Sequence, residues 1–418
     1  MSLQNWYATQ SLPHVTSVAL RLSASFQLLM MTATWKLWLT PGSFPVVPLL
    51  RLNLSPDLIP AATLPLAAGC LLLALNVAGN ARAVQRSIVL LTLVAAILPV
   101  LGSQQCLQAW HWLFINVLLF SLLPRFASNL RLVIAAVYVC SGLSRIAEFP
   151  ENGPAGLIVR QLLDFVGQSG ADVETVRLGC HLTCGCEIIA GLALLFAGQF
   201  PQPAALTAVA MHLTLLTALG PFGLGHHPAV LLWNVQLLLL TPLLALTAPQ
   251  QLSAENNSPT AFRNSAPALF HWLFAISGLF GVADNWPSWQ LYSSRPESWQ
   301  LYIRHDQAKQ LPASLQPWLS PTILNGWQPL SLDRCSFAAT NSPLVPEDRF
   351  QAAVIDAVLQ QIPNDTEFLI RISEPDPMRW WHRRERQIVT HQQLRLEMTR
   401  FILNATALPP HPKHLKID

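Results

Sequence analysis

The chain has 418 residues, 52% of them hydrophobic and only 11% charged, with a formal net charge of +3. Soluble domains carry about a quarter charged residues, so most of this chain suits a bilayer rather than water. The small net charge, with no long basic run ahead of the tail, argues against nucleic acid as a partner.

The charges are unevenly placed. Of the 25 basic and 22 acidic residues, 28 lie after Ala283, 14 of each sign. A charge-poor region therefore runs to about residue 283, and a region of ordinary polarity follows it. The N-terminal "MSLQNWYATQ" lacks the basic stretch of a cleaved signal peptide, so the first apolar segment is expected to stay as a membrane helix. The seven cysteines form neither CxxC nor a zinc spacing, and no metal site is expected.

A spanning helix needs about 20 largely apolar residues. Candidate spans fall at 17–39, 58–79, 87–103, 106–123, 132–148, 177–197, 203–220 and 229–248, with a shorter ninth at 266–283. Arg82 and Arg86 follow the second span, and Arg125 and Arg131 follow the fourth. By the positive-inside rule these loops face the cytoplasm, which gives a multi-pass protein of the inner or plasma membrane with a cytoplasmic N-terminus. The connections 40–57 and 149–176 then face outside. The order of features repeats: Lys36 and Arg145 end the first span of each half, and Asn116-Val117 matches Asn234-Val235 in the fourth. The expected fold is an all-α integral membrane bundle of eight or nine transmembrane helices. Its two tandem four-helix units cover 1–130 and 131–250.

After Trp286 the pattern changes. "SWQLYIR" (298–304) and "TEFLIRIS" (366–373) alternate like strands, while 347–362 and 390–403 have helical spacing. A small soluble α/β or α+β domain over 286–418 follows. Within it, "MRWWHRRERQ" (378–387) combines aromatic residues with clustered arginines. That composition suits an interface or anionic headgroups, or a solvated loop with its two tryptophans packed inward.

Ionisable and amide side chains also sit inside the apolar segments, and most fall in the outer half of the expected bilayer. They are Lys36, His111, Asn116, Arg145, His181, Glu187, His212 and Asn234. A charge in hydrocarbon normally faces the bundle interior and has a partner. Arg145 and Glu187 lie on adjacent antiparallel spans, offset by roughly 9 Å, so they are expected to pair. Such a pair fastens a bundle, or lines a pocket for a polar headgroup, a quinone ring or a small anion. Lys36 can also snorkel to the interface, and His111, between Trp110 and Trp112, can belong to an aromatic belt. Cys180, Cys184 and Cys186 read as small packing residues.

The succession "CSGLSRIAEF", "EIIAGLALLF", "ALTAVAMHLTLLTALGPFG" and "LLWNVQLLLL" resembles the DoxX/MauE family of redox-associated four-helix membrane proteins. Gly142 and Arg145 stand where that family has Gly-x-x-Lys. Glu187, Gly191 and Leu192 stand where it has Glu followed by Gly-Leu. The resemblance covers about 131–248 and implies a role beside a quinone- or thiol-linked redox system, with a redox protein or quinone as partner. Arg145 replaces the family's lysine, and the CxxC is missing. A fainter likeness links the bundle and its junction "DNWPSWQLYSSRP" to the HTTM and vitamin K-dependent carboxylase group. Three functions stay open at this point: a redox-associated or maturation subunit, a membrane enzyme, or a small-molecule or lipid transporter.

Overall fold

The computed structural model describes residues 12–52, 54–79, 81–146, 150–249, 261–291, 293, 295–376, 379 and 382–409. Two compact units are built from interleaved segments. The first comprises Met1–Ala33, Leu66–Val94 and Ala109–Arg295; the second comprises Thr34–Pro65, Ala95–Gln108 and Pro296–Asp418.

The described helices up to residue 279 are α1 (Leu12–Ala33), α2 (Trp35–Leu39), α3 (Leu58–Ala74), α4 (Arg82–Gly102), α5 (Ala109–Ser121), α6 (Phe126–Ser144), α7 (Pro154–Phe165), α8 (Val173–Leu195), α9 (Pro201–Leu219), α10 (Pro228–Leu246) and α11 (Ala261–Leu279). Six are long and apolar enough to cross a membrane: His14–Ala33 within α1, then α4, α6, α8, α9 and α10. By length and composition this is a polytopic membrane protein. The other three expected spans are shorter apolar helices: Leu58–Ala74, Ala109–Ser121 and Ser265–Leu279. At about 1.5 Å per residue they rise roughly 20–26 Å, less than the ~30 Å hydrocarbon core.

In the first unit, α6 is buried along nearly its whole length and packs against α1, α5, α8, α10 and α11. The outward faces are apolar, as on α8, where Leu178, Leu182 and Ile189 are exposed. The first span is shorter than its hydropathy implies. Thr34 leaves helical geometry at φ −109°, ψ 34°, so Trp35–Leu39 forms a separate turn in the second unit. The connection 149–176 is also not plain loop. In α7, Ile158 and Val159 are buried and Leu157 is exposed, so one face packs on α8 and α9. Glu151, just before α7, forms a two-pronged ion pair with Arg177 on α8, at 2.8 and 3.2 Å.

The second unit holds an antiparallel sheet in the order β2-β1-β3-β4. Its strands are β1 (Ser298–Arg304), β2 (Trp327–Leu330), β3 (Phe368–Pro375) and β4 (Arg383–Ile388), with α12 (Leu332–Thr340), α13 (Asp348–Leu359) and α14 (His391–Met398). Phe350, Val354 and Val358 of α13 are buried, and α13 packs on β1. Two early segments belong to this unit through buried amides. Gln104 Nε2 donates to the carbonyls of Pro48 (3.1 Å) and Asn404 (2.7 Å), and Gln105 Nε2 to that of Pro343 (2.7 Å).

The two strands and two helices expected after residue 286 are present; β2, β4 and α12 are additional. The arginine cluster, read from sequence as either an interface segment or a solvated loop, contributes the edge strand β4, and the arginines of that strand are engaged within the sheet. Arg384 pairs with Asp376, Arg386 with Glu374 and Glu397, and Arg383 Nη2 donates to the Pro296 carbonyl. Met378, Trp380 and Trp381 of the same stretch lie outside the described residues.

Candidate functional site

Arg145 caps the end of α6, and Glu187 sits midway along α8; both are buried, at 4% and 6% exposure. Arg145 Nη2 donates to the Glu187 carboxylate and to Ser141 Oγ (2.8 Å), while its Nε donates to the Ser141 carbonyl (3.4 Å). The guanidinium is thus tied to its own helix before it reaches across. Buried charges persist in low dielectric only when paired and hydrogen-bonded in this way.

Two glycines bring the helices close enough. A Cβ on Gly142 would lie 2.9 Å from the Cys184 carbonyl oxygen and 2.8 Å from Ile188 Cγ1. One on Gly191 would lie 2.9 Å from the Ala135 carbonyl oxygen and 2.7 Å from Val139 Cγ2. The contacts run in opposite chain directions, so α6 and α8 are antiparallel. Small residues of this kind let membrane helices approach backbone to backbone. The residues Gly142, Arg145, Glu187 and Gly191 therefore make one contact, not two independent motifs.

A second, neutral network runs from the same face of α6. Tyr138 stands seven residues before Arg145, about 20° away around the helix. Its hydroxyl lies 2.7 Å from His212 Nε2 on α9 and 2.7 Å from Thr241 Oγ1 on α10. His212 Nδ1 is 3.1 Å from Asn234 Oδ1, and Asn234 Nδ2 donates to the Val230 carbonyl (2.9 Å). An amide oxygen only accepts, so Nδ1 carries the proton and the neutral ring accepts at Nε2. The direction follows: Thr241 donates to Tyr138, Tyr138 to His212, and His212 to Asn234. The chain ties α6, α9 and α10 together through groups that can pass a proton.

Of the residues singled out from sequence, Arg145 meets Glu187 and His212 meets Asn234. The others lie elsewhere. His181 is exposed on the outer face of α8, because six residues of helix place it about 120° from Glu187. Lys36 belongs to the second unit, where Nζ donates to the Ala338 carbonyl (2.9 Å). His111 is fully buried rather than interfacial, and Gln27 Nε2 donates to its Nδ1 (2.8 Å). Asn116 turns back to its own helix, donating to the Trp112 carbonyl (2.8 Å). Cys180 and Cys184 are packed in the interior as expected, whereas Cys186 is exposed. His227 accepts from the Ala229 backbone N–H (3.3 Å) and so caps α10.

Sequence reasoning missed Ser141, Tyr138 and Thr241. A signal was present in the spacing: Tyr138 and Arg145, like Asn234 and Thr241, are seven apart and share a helix face. No family model, no curated protein and no solved structure matches the chain.

Proposed function

We propose that this protein is a redox-associated membrane subunit of the DoxX/MauE kind, with a polar layer that receives a quinone-class ring. The observation that carries this reading is the Tyr138–His212 contact, made from the α6 face that also carries Arg145, the partner of Glu187 on α8. A quinone carbonyl takes up a proton when the ring is reduced, and Tyr138 and His212 are neutral groups able to give and recover one. The electrons come from a partner redox protein. In this reading the Arg145–Glu187 pair fixes α6 to α8 and so sets where Tyr138 stands. The polar layer belongs to the outer half of the bilayer, with the N-terminus in the cytoplasm.

Organic extraction of protein purified from native membranes tests the site. Quinone is expected to co-purify with the wild type and to be depleted several-fold in Tyr138→Phe and His212→Leu variants of equal yield. Wild-type protein without quinone overturns the reading. A reporter fused after residue 84 tests the topology, and extracytoplasmic behaviour there inverts it.

A further inference from the structure

Five polar atoms on α1 and α10 are buried without a hydrogen-bond partner among the described residues: Ser23 Oγ, Gln27 Oε1, Trp233 Nε1, and Gln236 Oε1 and Nε2. Their residues are 0%, 0%, 7% and 1% exposed, respectively. A buried polar group with no partner has given up its water without a return, which destabilises the fold. Lipid offers no partner for these five atoms.

The four side chains belong to two helices that pack on each other. Ser23 and Gln27 are four apart and share a face of α1. On α10, Gln236 is two residues past Asn234, so it points about 200° away from the side that meets α9 and α6. The remaining neighbour of α10 is α1, and Gln236 lies on that side. The levels also agree. Short connections make α6 antiparallel to α5, α9 to α8, and α10 to α9. The contact register makes α8 antiparallel to α6. Gln27, near the end of α1, meets His111, near the start of α5, so α1 runs with α6 and against α10. Counted from the ends that then lie together, Gln27 and Ser23 are about 9 and 15 Å deep, and Trp233 and Gln236 about 7 and 12 Å.

We propose that these four residues form a binding site for an uncharged hydroxyl group, separate from the Tyr138 cluster. None of the four side chains carries a charge, so neither an anion nor a cation is matched. Trp233 and Gln236 offer N–H donors, while Gln27 and Gln236 offer carbonyl acceptors. A carbonyl or ether ligand only accepts and so brings no hydrogen to either acceptor. A hydroxyl both donates and accepts, so it meets one carbonyl acceptor and one N–H donor at once. Its source is trapped water or the alcohol of a lipid-soluble molecule. The site stands whether or not the Tyr138 cluster takes a quinone, because the two share no residue.

Radiolytic labelling in ¹⁸O-water and native mass spectrometry of the full-length protein distinguish the sources. Trp289 is the internal control: it is fully buried, with its Nε1–H donated to His271 Nε2 at 2.7 Å. Several-fold more label on Trp233 than on Trp289, abolished by Gln236→Met, identifies water. A neutral adduct on the wild type that Gln236→Met loses identifies the lipid-soluble alcohol. Wild-type protein with neither label nor adduct overturns the site. Thermal unfolding gives a second reading, with Ser23→Ala as the milder change on the opposite helix. Lower midpoints in both variants support an occupied site. Higher midpoints in both mean that the atoms are simply unmet, and they overturn it.

Discussion

Arginine–carboxylate pairs hold together both units, on opposite terms. In the helical unit, Arg145 and Glu187 have side chains only 5% and 8% exposed. In the sheet unit, Arg371 and Glu385 are 44% and 53% exposed and meet at 2.5 Å across β3 and β4. Arg386 there reaches Glu374, Glu397 and Glu297 in one web. In water such contacts form readily and each adds little. In hydrocarbon one pair must be complete, since a lone charge has no solvent to turn to. The contact between α6 and α8 therefore rests on an anchored ion pair beside a neutral chain through Tyr138, whereas the sheet spreads its charges over a surface network.

The sharpest way to break the comparison is Glu187→Gln. It leaves the Arg145 guanidinium buried with its countercharge removed, and losing one partner of a buried pair costs about 3–5 kcal/mol. Unfolding in mixed micelles should show this loss, and the double change Arg145→Met with Glu187→Met should recover most of it. A Glu187→Gln protein as stable as the wild type would show that the pair contributes nothing to the bundle.

Gly142→Ala attacks the same contact through its backbone. The new methyl meets the Cys184 carbonyl oxygen at 2.9 Å, which neither rigid helix can easily yield. Overpacking of this kind costs about 1–3 kcal/mol, and the same assay should detect it. Gly185 on α8, with open space around it, is the matching control: its alanine variant should lose none of this packing.

These two effects were partly legible in the sequence. The Arg145–Glu187 pair followed from the rarity of charge in hydrocarbon, together with adjacency along the chain. Tyr138 was harder to see, because a tyrosine among valines looks like ordinary packing until the helices bring His212 and Thr241 to it. Hydropathy carries the first span through "TWKLWL" and so includes Lys36, whereas the backbone breaks at Thr34. The interleaving of units was not legible at all. It depends on Gln104 and Gln105 meeting partners some 240–300 residues away, and no local pattern records that. Strand β4 was hidden because five of its six residues are polar, as suits an edge strand that must not pair further.

Between the two extremes lies Glu151, buried but bonded to the half-exposed Arg177. The Arg177 hydrogen bonds hold its carboxyl below the usual carboxylate range, against the opposing effect of burial; its own backbone N–H and the charges of Arg177 and Arg160 add to the lowering. A carboxyl depressed in the folded state stabilises at pH above its unfolded value, near 4.3, and that contribution is lost as pH falls through the folded value. The stability gap between the wild type and Glu151→Gln should therefore be constant near neutrality and narrow below about pH 4. A gap that widens on acidification would contradict the pairing.

The smallest effect belongs to the exposed pair. Arg371 donates to both carboxylate oxygens of Glu385 through Nε and Nη2, but both ends stay in water. A double-mutant cycle with Arg371→Ala and Glu385→Ala should give a coupling below about 1 kcal/mol, because solvent screening and side-chain entropy offset the attraction. At ~1 M salt the Debye length shrinks to about 3 Å, and the coupling should fade. The same cycle on Arg145 and Glu187 should be large and nearly indifferent to salt, since ions do not enter the packed contact between α6 and α8. If instead the Arg371 coupling matched the buried one, or if the buried one collapsed in salt, burial would not be what separates the two units.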